Sequence, residues 1–191
     1  MNMSKHYIEQ MLWKTLLACA ILLSGISHSA ESEITLPLFR AINERLEYME
    51  DVALFKAQNE IPIEDIEREQ IVLEDAKELA TSLGLNAQSM EEFFIAQIDA
   101  AKTIQYRYSA ELVTPGAPSK AIDLNEEIRP ALDRLSIEIV GLFAEFLRAG
   151  NTMIEDYRGS FAVALRSNYL SAQDKNALFS AMRQVRLEQK P

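Results

Sequence analysis

The sequence has 191 residues, of which 48% are hydrophobic and 25% charged, with a formal net charge of −10 at pH 7. That length suits one domain with a sizeable core, and an acidic balance argues against nucleic acid as a partner. Two His, one Cys and one Trp occur in the whole chain, and all four (His6, His28, Cys19, Trp13) fall within the first 30 residues.

Residues 1–30 read as a cleavable secretory leader. Lys5 and Lys14 flank an entry into the apolar run from Leu16 to Leu23, which is too short to span a bilayer. Gly25 and the small residues Ser27, Ser29 and Ala30 follow, so a signal peptidase cut is expected after Ser29 or Ala30. Cys19 does not make a lipoprotein box, because Ala20 to Leu23 keeps the run apolar past it. Removing the leader leaves residues 31–191, more acidic by about one charge and without His or Cys. Such a chain holds no Ser-His-Asp triad, Cys nucleophile, His/Cys zinc site or disulfide. No metal and no cofactor are expected. A strongly acidic surface repels anions at long range, so an anion site would require a local cluster of Arg and Lys.

The remaining chain reads as all-α, a single domain of about six helices, because apolar residues recur at helical spacing and strict alternation is absent. A first helix is expected over 36–58, with Phe39, Ile42, Leu46, Met49 and Ala53 as its apolar stripe. Pro62 ends the interruption that follows it. The second helix is expected from near Asp65 to Gly84, and the third from a capping box at Ser89 and Glu92 to about Ser109. Residues 114–119 (Thr-Pro-Gly-Ala-Pro-Ser) form a loop between a first half, about 36–110, and a second half, about 123–189. Asp123 and Glu126 have capping-box spacing before a fourth helix, whose stripe is Leu132, Leu135, Ile139, Leu142, Phe143 and Phe146. Pro130 requires that helix to begin just before it or to kink there. A fifth helix is expected over 152–165, and a sixth from Ser171 and Asp174 into the C-terminus.

Basic residues in the first half are unusually arranged. Arg45 and Lys56 are 11 residues apart, about 20° beyond three full turns, so they share a helix face with backbones about 16 Å apart. Glu44 and Glu47 flank Arg45, which also fits an ordinary surface residue in mixed charge. Asp65 and Arg68 then fall at the start of the second helix, where free N–H groups favour an anion.

Glu44-Arg45-Leu46-Glu47, Phe55-Lys56, Pro62-Ile63-Glu64-Asp65 and Arg68 resemble the signature of the all-helical, type II chorismate mutases, and the leader with a second helical half resembles their exported subclass. The resemblance implies a substrate-binding set of Arg45, Lys56, Asp65, Arg68, Glu69, Gln105 and Arg129. Within it, Arg45 and Arg68 would hold carboxylate or nearby oxygens. Lys56 would reach the ether oxygen with a carboxylate, and Gln105 would donate to the ether oxygen. Asp65 would line the site through its backbone or orient its neighbours, and Glu69 would accept the ring hydroxyl. Lys56, Gln105 and Arg68 would carry catalysis, while Arg129 would supply from the second half a cation that other subclasses borrow from a neighbouring chain. Ala101 stands where the family commonly has Ser or Thr, which removes one hydrogen bond to substrate. The disulfide of some secreted relatives has no counterpart here.

The implied reaction is the rearrangement of chorismate to prephenate. It breaks a C–O bond and forms a C–C bond while negative charge grows on the ether oxygen, and it needs positioning and fixed donors rather than a nucleophile. The implied protein is periplasmic or secreted, free of membrane after leader cleavage, and a homodimer. The alternatives are a non-catalytic secreted interaction protein on the same scaffold, or a helical domain whose Arg and Lys are surface charge only.

Overall fold

The computed structural model describes residues 35–112 and 120–189. The expected leader with its cleavage site and the loop at 114–119 lie outside the described residues. Within them the chain forms six helical rods, and the only strand-like pairing is one antiparallel bridge between Leu85 and Leu187.

The first rod is α1 (35–47) followed by α2 (Met49–Gln58), parted only at Tyr48, whose backbone stays in the right-handed helical region. Its expected stripe is the buried face: Phe39, Ile42, Leu46, Met49 and Ala53 are each 4% exposed or less. Helix α3 (Ile66–Ser82) starts at Asp65, whose carboxylate accepts the backbone N–H of Arg68 at 3.2 Å. It ends through Gly84, at φ +68°, where the N–H groups of Gly84 and Leu85 close on the carbonyls of Thr81 and Ala80. This pattern satisfies the last free carbonyls of α3, and the positive φ suits glycine.

Helix α4 (Ala87–Glu111) opens three residues earlier than its expected cap. Asn86, not Ser89, accepts the first-turn N–H, at 3.0 Å from Ser89 N. Ser89 is fully buried within that turn, its hydroxyl donating to Asn86 O and accepting from the N–H of Arg186. The sharp stop of α3 leaves a four-residue link, Leu83 to Asn86, whose first three residues are spent on that stop, so Asn86 is the first residue free to cap.

Pro130 resolves in favour of a start. A π-helical turn, Leu124–Ile128, is capped by Asp123 and leads into α5 (Arg129–Arg148), which puts Pro130 in the first turn. The wider turn, with Ile128 N bonded to Asp123 O, accommodates a residue that lacks an N–H.

Helix α6 (Tyr157–Ala164) is shorter than expected, since 152–156 are irregular or turn. Met153 is buried there and its carbonyl accepts from Arg183, so tertiary bonds replace a first helical turn. Helix α7 (Ala172–Met182) has the expected Ser171–Asp174 capping box but does not continue into the C-terminus. The chain turns back instead, with Arg186 O accepting from Asn86 N and Glu188 N donating to Gly84 O. Burial of Val185 accompanies that return.

Helix α4 is the central rod, packed by α2, α3 and α7, while α5 closes on α3. The core between them is rich in aromatic rings in edge contact, such as Phe93 with Phe143 (4.9 Å) and Phe39 with Phe161 (5.2 Å). No helix among the described residues is long and apolar enough to cross a membrane.

Candidate active site

The α1–α2 rod, the start of α3, the C-terminal half of α4 and the start of α5 line a cleft that opens to solvent. All seven residues expected from sequence line it: Arg45, Lys56, Asp65, Arg68, Glu69, Gln105 and Arg129. Met49, Val52, Ile63, Val72, Ile98, Leu124 and Leu132 supply apolar wall, and Ala101 and Lys102 complete the α4 side.

Arg45 is not a surface residue, although two glutamates flank it: it is 5% exposed, because α1 turns this face onto α4 and α5. Its Nε donates to Ser136 Oγ and its NH1 to Gln97 Oε1, each at 3.2 Å, and the guanidinium lies 5.7 Å from the Phe94 ring centroid. Burial pulls its pKa down to about 10, with Asp133 opposing and Arg68 adding to the shift. It therefore stays a cation at neutral pH.

Lys56, on the same helix face and 6% exposed, donates to the carbonyl of Ile63 at 2.6 Å. Burial lowers its pKa below the ordinary lysine value; Asp65 acts against that shift, Arg129 reinforces it, and Glu69 and Glu64 oppose it. The third buried polar group is Gln105, 5% exposed. Its Nε2 bonds the carbonyl of Ala101 at 3.3 Å and touches Met49 Sδ at 3.6 Å. Its Oε1 is buried and has no hydrogen-bond partner among the described residues.

The remaining cations sit further out and are held by carboxylates. Arg68 pairs with Asp133 of α5. Arg129 reaches from α5 to Asp65 Oδ2 at 2.9 Å and is steadied by Asn125 at 2.7 Å. Asp65 thus caps α3 with one oxygen and orients Arg129 with the other. Glu69 accepts from Lys102 at 3.2 Å.

Sequence reasoning did not single out Lys102, or the groups that hold the arginines: Gln97, Phe94, Ser136 and Asp133. Lys102 carried a usable signal, since three residues before Gln105 puts it on the same helix face. Asp133 and Ser136 carried none, because their partners are 65 and 91 residues away in sequence. The cluster answers the charge problem posed by an acidic chain: five cations and two carboxylates line the cleft. It is suited to bind a small dianion and to place buried donors against it.

Comparison with known proteins agrees with this chemistry. Residues 32–106 match the family "Chorismate mutase type II". A secreted chorismate mutase of Yersinia pestis is 38% identical over 178 residues, covering 92% of each chain. A monofunctional chorismate mutase of Enterobacter agglomerans is 32% identical over 182 residues, covering 94% of this chain and 97% of the relative. Among solved structures, the secreted chorismate mutase from Yersinia pestis superposes with a TM-score of 0.72 at 39% identity, over 79% of this chain and 97% of that one. The chorismate mutase from Burkholderia thailandensis gives 0.64 at 28% identity, over 78% and 96%. With matches of this identity across nearly the whole chain, the protein belongs to the type II chorismate mutase family.

Proposed function

We propose that the chain is an exported chorismate mutase, acting in the periplasm or outside the cell, that converts chorismate to prephenate by holding the reactive conformer and stabilising charge on its ether oxygen. The observation that carries the reading is the cleft floor, where two cations and an amide, each nearly sealed from water, have only neutral hydrogen-bond partners. Burying a cation is costly, and carboxylates that act without a direct ion pair, Asp133 on Arg45 and Asp65 on Lys56, leave room for a ligand to supply the opposite charge. Chorismate, a dianion, does so.

In this reading Arg45 and Arg68 take carboxylate oxygens, with the planar guanidinium suited to bidentate binding. Lys56 and the second N–H of Gln105 meet the ether oxygen, where fixed donors in a dry site favour the transition state. Asp65 keeps Arg129 aimed at the substrate from the second half, and Glu69 accepts the ring hydroxyl. Residues 1–30 act as the leader and 31–191 as the enzyme. In this reading the protein is a homodimer whose sites are each built inside one chain, with Arg129 supplying a cation from the chain's own second half.

The experiment is loss of the ultraviolet absorbance of chorismate on adding purified mature protein. Turnover should survive a chelator and disappear in Arg45→Ala. No consumption of chorismate by the folded parent would favour a non-catalytic binding protein on this scaffold.

A further inference from the structure

Lys102 lines the cleft but differs from the buried cations in being ringed by carboxylates. Its Nζ lies 3.2 Å from Glu69 Oε2, 3.3 Å from Glu64 Oε2 and 3.9 Å from Asp99 Oδ1. The lysine and Glu69 side chains are both largely enclosed, at 23% and 24% exposure. Glu64 also accepts from the Tyr106 hydroxyl at 2.9 Å. One network therefore ties α4 to α3 and to the loop that presents the Ile63 carbonyl to Lys56. Partial burial works against the charge on Lys102, but hydrogen bonding and attraction from Glu69 and then Glu64 hold its pKa above the ordinary lysine value.

On an open surface such pairs contribute little. Beside a cleft that takes a dianion the consequence is different. Glu69 lies on the cleft wall and Glu64 close behind the same ammonium. Unopposed, both would repel the substrate and each other.

We propose that Lys102 is a positioning residue for substrate recognition: it absorbs the charge of Glu69 and Glu64 and fixes the Glu69 carboxylate on the cleft wall as the acceptor for the substrate's ring hydroxyl. This rests on the reading that the cleft binds chorismate. An ion-paired carboxylate accepts hydrogen bonds and donates none, so the group facing it must be a donor. Lys102 acts through Glu69 and touches no reacting atom.

The substrate's net charge and its ring hydroxyl, which Glu69 faces, are the same in ground and transition states, so loss of Lys102 should appear in KM rather than kcat. Lys102→Met should raise KM for chorismate about tenfold, with kcat within about twofold, and Lys102→Arg should restore most of the loss. In a Glu69→Gln background Lys102→Met should raise KM by clearly less, because the first of the two carboxylates it balanced is gone and only Glu64 remains. Glu64→Gln, which keeps the lysine and most of the fold, should lower KM about twofold.

A fall in kcat at constant KM for Lys102→Met, or a KM effect of equal size with and without the Glu69 carboxylate, would reduce Lys102 to a structural brace. A raised KM in Glu64→Gln would also overturn the proposal. Inability of the folded parent to consume chorismate would instead sink the functional reading on which it stands.

Discussion

The floor and the rim of the cleft hold cations in opposite ways. On the floor, Arg45 and Lys56 are 5% and 6% exposed and bond to a hydroxyl, an amide oxygen and a backbone carbonyl. On the rim, the Arg68, Arg129 and Lys102 side chains are 26%, 33% and 23% exposed, and each is paired with at least one carboxylate. Neutral hydrogen-bond partners fix direction without cancelling charge, and the carboxylates that act on the floor, Asp133 on Arg45 and Asp65, Glu69 and Glu64 on Lys56, do so without a direct ion pair. Carboxylate partners cancel charge, and a rim arginine must share its guanidinium between Asp133 or Asp65 and the substrate. On the proposed function, Lys56 and Gln105 of the floor stabilise developing charge, Arg45 beside them takes a carboxylate, and the rim serves recognition.

The sharpest way to break this contrast is at the floor. Lys56→Ala should lower kcat by about 10² to 10³, the usual cost of removing a donor aimed at developing charge. The helix should persist, because the remaining stripe of α1 and α2 is intact, and circular dichroism beside the kinetics checks this. Near-parental turnover by a folded variant would remove Lys56 from the reaction.

Gln105→Glu tests the other floor donor, with an effect that depends on pH. An amide donates at any ordinary pH, whereas a carboxyl donates only when protonated and, when ionised, opposes charge growing on the ether oxygen. Burial would raise the new carboxyl above its reference pKa of about 4.3, while nearby cations would lower it. The variant should be poor near neutrality and recover as pH falls, while the parent stays comparatively flat. Superimposable profiles of kcat/KM would exclude Gln105 from the reacting centre.

At the rim the expected loss is smaller and of another kind. Arg129→Ala should raise KM about tenfold and leave kcat nearly unchanged, since a contact present equally in ground and transition states alters binding alone. The variant also frees Asp65 Oδ2, which adds an unpaired carboxylate beside the substrate. An unchanged KM would shift the role to another cation of α5, such as Arg134.

The floor was far more legible in the sequence than the rim. The 11-residue spacing of Arg45 and Lys56 is fixed by the period of one helix, so their shared face follows from the chain itself. Arg68 followed from its place at the start of the second helix, Gln105 entered through a family resemblance alone, and the cleft brings both to the same place. What was not legible depends on contacts between distant segments. Asp133 meets Arg68, and Ser136 meets Arg45, only because α5 packs on α3 and the first rod, and no local pattern announces that. The misplaced helix starts at Ser89 and residue 152 have the same origin. Ser89 has the residue type of a cap, but the Gly84 stop gives the role to Asn86, and the bonds of Met153 and Glu155 to Arg183 outcompete a first turn in front of α6.

The smallest effect concerns alkaline pH, and it separates the two buried cations of the floor. Lys56 must be an ammonium to oppose charge on the ether oxygen, and its burial places its pKa below the ordinary lysine value of about 10.4. As pH rises through that lowered value the proton is lost, so kcat/KM of the parent should fall earlier than a solvated lysine would dictate. Bound dianion favours the charged form, so the corresponding limb of kcat should lie at higher pH. Arg45, held at about 10, could produce a similar limb. The two respond differently to Arg129, whose charge depresses Lys56 and is not among the influences on Arg45, which are burial, Asp133 and Arg68. In Arg129→Ala the alkaline limb of kcat/KM should move up by a few tenths of a pH unit, the scale of one partly screened charge. A limb that stays in place while KM rises would assign the titration to Arg45, and would mean that Lys56 keeps its proton throughout the working range.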